Sequence, residues 1–463
     1  MRKLIAILLG LSPFFVVPPP VSAHAFGKLY TLPVPFWLYL YGGAAALIIS
    51  FLIIGYFVGQ GDKDQSYPTK NLSFLNIFAK SWFFTFIRVL SVSLFSLAIV
   101  SGLIGKNYPT FNFNMTFFWI IFILGFTYLT ALFGNIWYVV NPWKSIVEWI
   151  ESIRGKPITS LTIYPKELGY YPALLIYFLF IWEELIGKTS PFSLSILLIQ
   201  YSFINFMSVW LVGKKSWFEY CEFFSVFFRL ISKIAPIEYR SGKLYLRPPF
   251  IGLLKESPFH LSILLFILFM LSSTAFDGFR ETIHWYRIYW QNFSIVPQTL
   301  FQTLGLLLSP IVFLTIYLIL IFLAKKITKS NLSVKDLSLQ FAYSLIPIAL
   351  VYNLAHYYTL LLTQGQSMVS IISDPFAFGW NLFGTRDYAP NLGVVNANLI
   401  WHTQVAFILI GHIAAVYLTH VIALRIFPDR QKAIISQFPM LVLMVAYTMI
   451  GLWILSQPIT TSA

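Results

Sequence analysis

The chain has 463 residues, of which 58% are hydrophobic, 19% aromatic and only 10% charged, and its mean hydropathy is +0.75. That balance lies outside the soluble globular range and leaves no room for a separate soluble domain. The formal charge of +14 would suit nucleic acid in a soluble protein, but here the excess sits in loops beside apolar runs. Anionic lipid and topology account for it there, and no nucleic-acid partner is expected.

Residues 1–23 read as a signal peptide. Met1-Arg2-Lys3 is a positive start, Leu4 to Val17 a short apolar core, Pro18-Pro19-Pro20 breaks it, and Val21-Ser22-Ala23 has the small-x-small pattern of a leader peptidase site. Cleavage makes His24 the mature amino terminus; an uncleaved anchor is the alternative.

Residues 24–463 then form a single all-α domain, a polytopic transmembrane helical bundle of about ten spans. The apolar runs are Phe36 to Gly59, Phe83 to Ile104, Met115 to Val139, Tyr171 to Gly187, Phe192 to Gly213, Pro258 to Phe276, Leu300 to Ala324, Leu337 to Leu362, Leu399 to Leu424 and Phe438 to Ser456. The alternating loops Lys63 to Lys80, Lys144 to Lys166, Lys214 to Lys255, Lys325 to Lys335 and Arg425 to Lys432 carry 22 basic residues. The opposite loops carry six: Lys28, Lys106, Lys188, Arg280, Arg287 and Arg386. The positive-inside bias therefore predicts that both mature termini lie on the outer side, which in a bacterial inner membrane is the periplasm.

The cytoplasmic loop 214–257 has a pattern of its own. Trp217, Tyr220, Phe223, Phe224, Phe227 and Phe228 alternate with Lys215, Glu219, Glu222 and Arg229 near a helical period, which predicts an amphipathic helix on the inner leaflet. Glu238 to Leu246 alternates about a Ser-Gly turn, the pattern of a hairpin. Several features read as scaffold: Gly55-x-x-x-Gly59 as a packing face, Trp37, Tyr39, Tyr41, Trp137, Tyr138, Trp285 and Trp290 as interfacial belts, and Arg88 as a snorkelling side chain. The single Cys221 excludes an internal disulfide, a Cys-x-x-Cys-His haem attachment and a thiolate zinc cluster, and reads as structural.

Ionisable groups at membrane depth are few and gather toward the outer side. Glu183 and Glu184 end the fourth span and Asp277 the sixth, Glu281 and His284 follow it, His356 lies near the outer end of the eighth, and His402 and His412 lie in the outer half of the ninth. Each costs a few kcal/mol or more in hydrocarbon and so asks for a partner or a role. Asp277, Glu281 and His284 share one face if their stretch stays helical, a donor set suited to zinc, manganese or iron; pairing with Arg280 and Arg287 is the competing reading. His356 and His412 come from consecutive spans at comparable depth and suit a shared site, as metal or haem b ligands, as a proton relay, or as hydrogen-bonded core residues. An amino-terminal His24 would offer an amine and a ring nitrogen to copper. Tyr352-Asn353-Leu354-Ala355-His356-Tyr357-Tyr358, followed by Gln364-Gly365-Gln366, puts polar groups at membrane depth, and the loop around Asp374, Ser373 to Tyr388, is consistent with a lid over a cavity or with a plain interfacial re-entrant segment.

At these residues the chain resembles a known family. Ala23-His24-Ala25-Phe26-Gly27 ahead of Leu32-Pro33-Val34-Pro35-Phe36-Trp37-Leu38-Tyr39, Phe276-Asp277-Gly278-Phe279, Leu354-Ala355-His356-Tyr357, Asp374-Pro375-Phe376 with Phe383-Gly384-Thr385, Gly411-His412-Ile413-Ala414-Ala415, and Met444-Val445-Ala446-Tyr447-Thr448 to Gln457-Pro458 are similar to bacterial multi-pass membrane proteins called fenitrothion hydrolase. The resemblance implies hydrolysis of an organophosphate-type ester, which a metal-bound hydroxide would serve, and brings no catalytic motif that maps onto single residues. Two functions follow: metal-dependent or redox chemistry at an outer site, with copper or zinc as the metal and a redox or membrane partner subunit, or a proton- or ion-coupled transporter using the same His and acidic residues.

Overall fold

The computed structural model describes residues 35–58, 67–73, 81–240, 243–391, 393, 396–427 and 429–457. The expected signal segment and His24 lie outside the described residues. Among them are ten helices long and apolar enough to cross a membrane: Phe36–Phe57, Ser81–Ile104, Phe113–Phe133, Lys166–Leu185, Pro191–Val212, Leu261–Arg280, Gln298–Thr328, Val334–Ile371, Asn398–Ile426 and Arg430–Ser456. The protein is a multi-pass membrane protein built as an all-α bundle, with spans one to ten in that order. The third span stops six residues short of the expected Val139, because Gly134 (φ 88°) turns the chain there.

The sixth span is the axis. It is buried along 89% of its apolar stretch, against 11% for the second and 17% for the first and seventh. The fourth, seventh, eighth and tenth spans pack around it. We call the end where the first span begins the upper end; the ends of the fourth and sixth spans meet there, with Arg280 Nη1 donating to the Leu185 carbonyl. At the lower end Arg430 donates to the carbonyls of Gly55 and Tyr56 at 2.9 and 3.2 Å, and the His420 ring lies 3.3 Å from that of Val58, so cationic and imidazole groups meet the last carbonyls of the first span.

Two segments return into the bundle without crossing it. After Gly134 the chain passes the fully buried Trp137 and starts a helix at Pro142–Arg154, N-capped by Asn141. After Gly213 (φ 87°) it passes Trp217 and Cys221 and starts a second helix at Phe223–Ser232, N-capped by Glu222. Trp143 Nε1 donates to Ser202 at 2.8 Å and Tyr201 donates to Glu222, and both partners lie midway along the fifth span. Irregular backbone at this depth is tolerated because protein surrounds it.

The second returning helix is where an amphipathic surface helix was expected. Phe223, Phe224, Val226, Phe228, Leu230 and Ile231 are all buried, so it packs inside the bundle instead of lying on a leaflet. The reason is visible in its residues: only Ser225, Arg229 and Ser232 are polar, which leaves apolar groups nearly all round. Beyond it, Ile237–Arg240 pairs antiparallel with Lys243–Leu246, Glu238 opposite Tyr245, and Lys70–Asn71 adds a short third strand.

Three scaffold expectations change. Gly55 has open space where a Cβ would stand and makes no close packing face. Trp137 is a core residue, among Phe95, Phe122, Phe126, Phe224 and Phe228, and not part of an interfacial belt. Arg88, expected only to snorkel, has protein partners: it pairs with Glu148 at 3.1 Å and donates to the Val139 carbonyl at 3.2 Å.

Candidate functional site

The upper half of the sixth span carries a run of small and polar residues, Ser272, Ser273 and Thr274, then Asp277 and Arg280, all buried. Because the span is wrapped by protein on every side, these groups meet other side chains and not lipid. Asp277 is the hub. Arg280 Nε donates to its Oδ1 at 3.0 Å, one turn along the same helix. Its Oδ2 receives the Tyr357 hydroxyl at 2.6 Å and lies 3.0 Å from His356 Nε2, both from the eighth span. Arg280 also pairs with Glu281 at 3.2 Å. Burial raises the Glu281 carboxyl above the usual range, against the pull of the Arg280 guanidinium.

Beside this hub lies a cavity of about 40 Å³, room for roughly three waters. Glu184, Asn353 and the hydroxyl-bearing Tyr357, Tyr177, Thr127, Ser273 and Thr274 line it. Tyr128 donates to Asn353 at 3.4 Å and so holds that amide. The opposite wall is Phe223, Phe224, Phe227 and Phe228 of the second returning helix. The third span is wound as a π-helix over Thr116–Gly125, which includes the wall residues Ile123 and Leu124; such winding recurs at functional sites.

The other expected site residues fall elsewhere. Asp277, Glu281 and His284 do not share a helix face, because Thr282 N-caps a new helix, Ile283–Asn292, and the chain breaks between them. His284 is exposed, its ring 5.3 Å from that of Trp453. His412 is buried and bonds the Ile408 carbonyl through Nδ1 at 2.8 Å, while its Nε2 has no partner among the described residues. His412 and His356 share no hydrogen-bond partner. Gly411 abuts Val351 and Gln404 donates to the Ala355 carbonyl, which puts His412 level with residues about five positions before His356, a rise of about 7 Å. His402 is exposed, bonded to the Asn398 carbonyl at 2.7 Å and near Tyr39. Glu183 lies against Gly187. Asp374 accepts from the amides of Phe378 and Gly379, at 2.9 and 2.7 Å, and so shapes its own loop. That loop is tied to the second and third spans, through Lys106 to the Phe376 carbonyl and Phe113 to that of Pro375, and contributes nothing to the cavity wall.

Among the described residues no group of three or more His, Cys, Asp or Glu side chains could hold a metal ion. Asp277 and His356 supply two donors, fewer than zinc or copper takes from protein in closed sites.

One cluster lay outside the expected set. The Glu222 carboxylate accepts from Trp137 Nε1 at 3.2 Å, Asn141 Nδ2 at 3.1 Å, the amides of Phe224 and Ser225 at 3.1 and 2.8 Å, and the hydroxyls of Ser225 and Tyr201. With every lone pair occupied it is a structural junction, not a site for a ligand. Tyr357, part of the polar stretch Tyr352 to Tyr358 expected at membrane depth, joins His356 at Asp277, and that meeting depends on which way the eighth span faces. No family model, no curated protein and no solved structure matches the chain.

Proposed function

We propose that the protein is a proton-coupled transporter in which Asp277, His356 and Tyr357 carry the proton. One observation supports this above all: a single buried oxygen, Asp277 Oδ2, lies within hydrogen-bond distance of both an imidazole and a phenol, beside a cavity that reaches a second carboxyl, Glu184. Such an oxygen can hand a proton between two groups with no change of scaffold. Helices that stop at mid-depth and turn back, as at Asn141 and Glu222, are a construction that transporters use to build sites inside a bundle. The excess of basic residues in the lower loops supports an orientation with the upper end, and so the Asp277 cluster, facing the bacterial periplasm.

The organophosphate hydrolysis implied by the resemblance needs a metal-bound hydroxide, for which Asp277 and His356 would require further donors, His24 or solvent among them. Vesicles with a trapped pH dye and a valinomycin-clamped potential separate the readings. The reconstituted protein is expected to admit protons when given its solute from pools of amines, amino acids, sugars and carboxylates, and Asp277→Asn is expected to stop this. Absence of proton movement with every pool overturns the reading, and a stoichiometric metal in the purified protein favours the hydrolase.

A further inference from the structure

We infer that the cavity beside Asp277 binds ammonium or a small alkylammonium ion, with Glu184 as its counter-charge and the aromatic wall as its cage. The inference deepens the transport reading, and rests on it for the meaning of the ligand as cargo.

Glu184 is the starting point. It ends the fourth span and lines the cavity, yet no described residue donates a hydrogen bond to its carboxyl or forms an ion pair with it. The nearby guanidinium is already engaged: Arg280 is shared between Asp277 and Glu281 and also holds the Leu185 carbonyl. An ionised carboxylate at this depth is costly until a positive charge joins it. The cavity offers the place for that charge.

The wall selects the kind of cation. Tyr177, Phe180, Phe223, Phe224, Phe227 and Phe228 present six aromatic rings to one small space. They are held against one another, Tyr177 stacked on Phe223 at 5.7 Å and Phe180 tilted on Phe223 at 4.9 Å, so the wall is formed before any ligand arrives. Aromatic faces attract a desolvated ammonium, whereas a metal ion would ask for more oxygen or nitrogen donors than Glu184, Asn353 and the hydroxyls of Thr127 and Tyr357 arrange around one point. A volume of about 40 Å³ suits ions from ammonium up to about trimethylammonium and excludes a porphyrin or a phosphotriester. A cation and a proton then compete for one carboxylate, with Asp277, Arg280, Tyr177 and Tyr357 as the ionisable neighbours.

The test is binding of radiolabelled methylammonium to the full-length protein in nanodiscs, with sodium chloride as the ionic control. Saturable binding is expected, lost in Glu184→Gln and weakened about tenfold in Phe227→Leu, both variants eluting as the wild type does on size exclusion. Should Glu184→Gln aggregate, Phe227→Leu decides alone. Absence of saturable binding, or equal binding to the folded variants, overturns the inference. Proton flux driven by some other solute alongside absent methylammonium binding sinks this ligand and leaves the transport reading intact. Methylammonium binding without any proton movement does the reverse.

Discussion

Asn141 and Glu222 are each the N-cap of a helix, and the Asn141 side-chain amide donates to the Glu222 carboxylate at 3.1 Å. Two helix starts, each with its positive dipole end, thus converge on one negative charge in the middle of the bundle. The arrangement satisfies the first amides of one helix from its own cap and ties the second helix to the same oxygen. Removing the carboxylate strands several buried donors at once. Glu222→Ala is expected to cost about 3 kcal/mol or more and lower the melting temperature in detergent, and Glu222→Gln, which keeps an acceptor oxygen, less. Equal melting of both variants and wild type would refute the junction.

Gly134 and Gly155 test backbone strain against crowding. Both have positive φ, 88° and 65°, but a Cβ at Gly134 would stand 2.7 Å from the Ile237 carbonyl oxygen, whereas Gly155 has open space. Gly155→Ala should cost about 1 kcal/mol for the left-handed backbone. Gly134→Ala should cost about 2 kcal/mol or more, since the hairpin must also move. Thermal unfolding of the two single variants reads the difference, and the order Gly155 worse than Gly134 is the result that contradicts it.

Tyr357 and Asp277 should behave as a unit. Tyr357→Phe removes a donor to a buried carboxylate and is expected to cost about 2 kcal/mol, while Asp277→Asn weakens the holds on Arg280, His356 and Tyr357 together. In a double-mutant cycle the second change should add less than it does alone. Strict additivity would mean that the two side chains do not interact.

Cys221 should be inert in the folded protein. Its thiol is buried and pushed up to about 12 by that burial, so at pH 8 it holds about a thousandfold less thiolate than an ordinary cysteine. Maleimide should label it only after denaturation in detergent. Rapid labelling of the native protein would show that the returning segment opens.

That inertness leaves a clean background for mapping sides. Cysteines placed at Ser190 and Asn391, at upper-end loops, are expected to react with an impermeant thiol reagent from outside intact cells, and one at Ser330, in a lower loop, is not. Labelling of Ser330 alone would invert the orientation.

The spans were legible because length and apolarity are properties of a run of residues, independent of what the run packs against. The site was legible only in parts. Asp277 and His356 each stood out as charge or imidazole at depth, but their meeting depends on the facing of two spans 79 residues apart, which no local pattern encodes. The expectation for Asp277, Glu281 and His284 assumed an unbroken helix, and Thr282, a good N-cap residue, was the signal against it. The helical spacing of the aromatic residues around Glu222 predicts a surface helix; the scarcity of polar residues between Phe223 and Ser232 carries the better information. His412 is one turn from its own acceptor, and sequence spacing cannot distinguish that local bond from a bond across the bundle.

The enclosure of the sixth span bears on how the protein is made. Leu261–Arg280 is apolar enough to enter lipid by itself, with a mean hydropathy of 1.8 over its best stretch, yet three of the spans that wrap it, the seventh, eighth and tenth, emerge from the ribosome after it does. At first it must sit in the bilayer before His356 and Tyr357 reach Asp277, which then has Arg280 beside it, one turn along the same helix. This internal pair keeps the charges neutralised during that wait. His356 and Tyr357 arrive with the eighth span, so the Asp277 cluster is assembled only late in synthesis, and a chain truncated before residue 356 holds the acid without these two side chains.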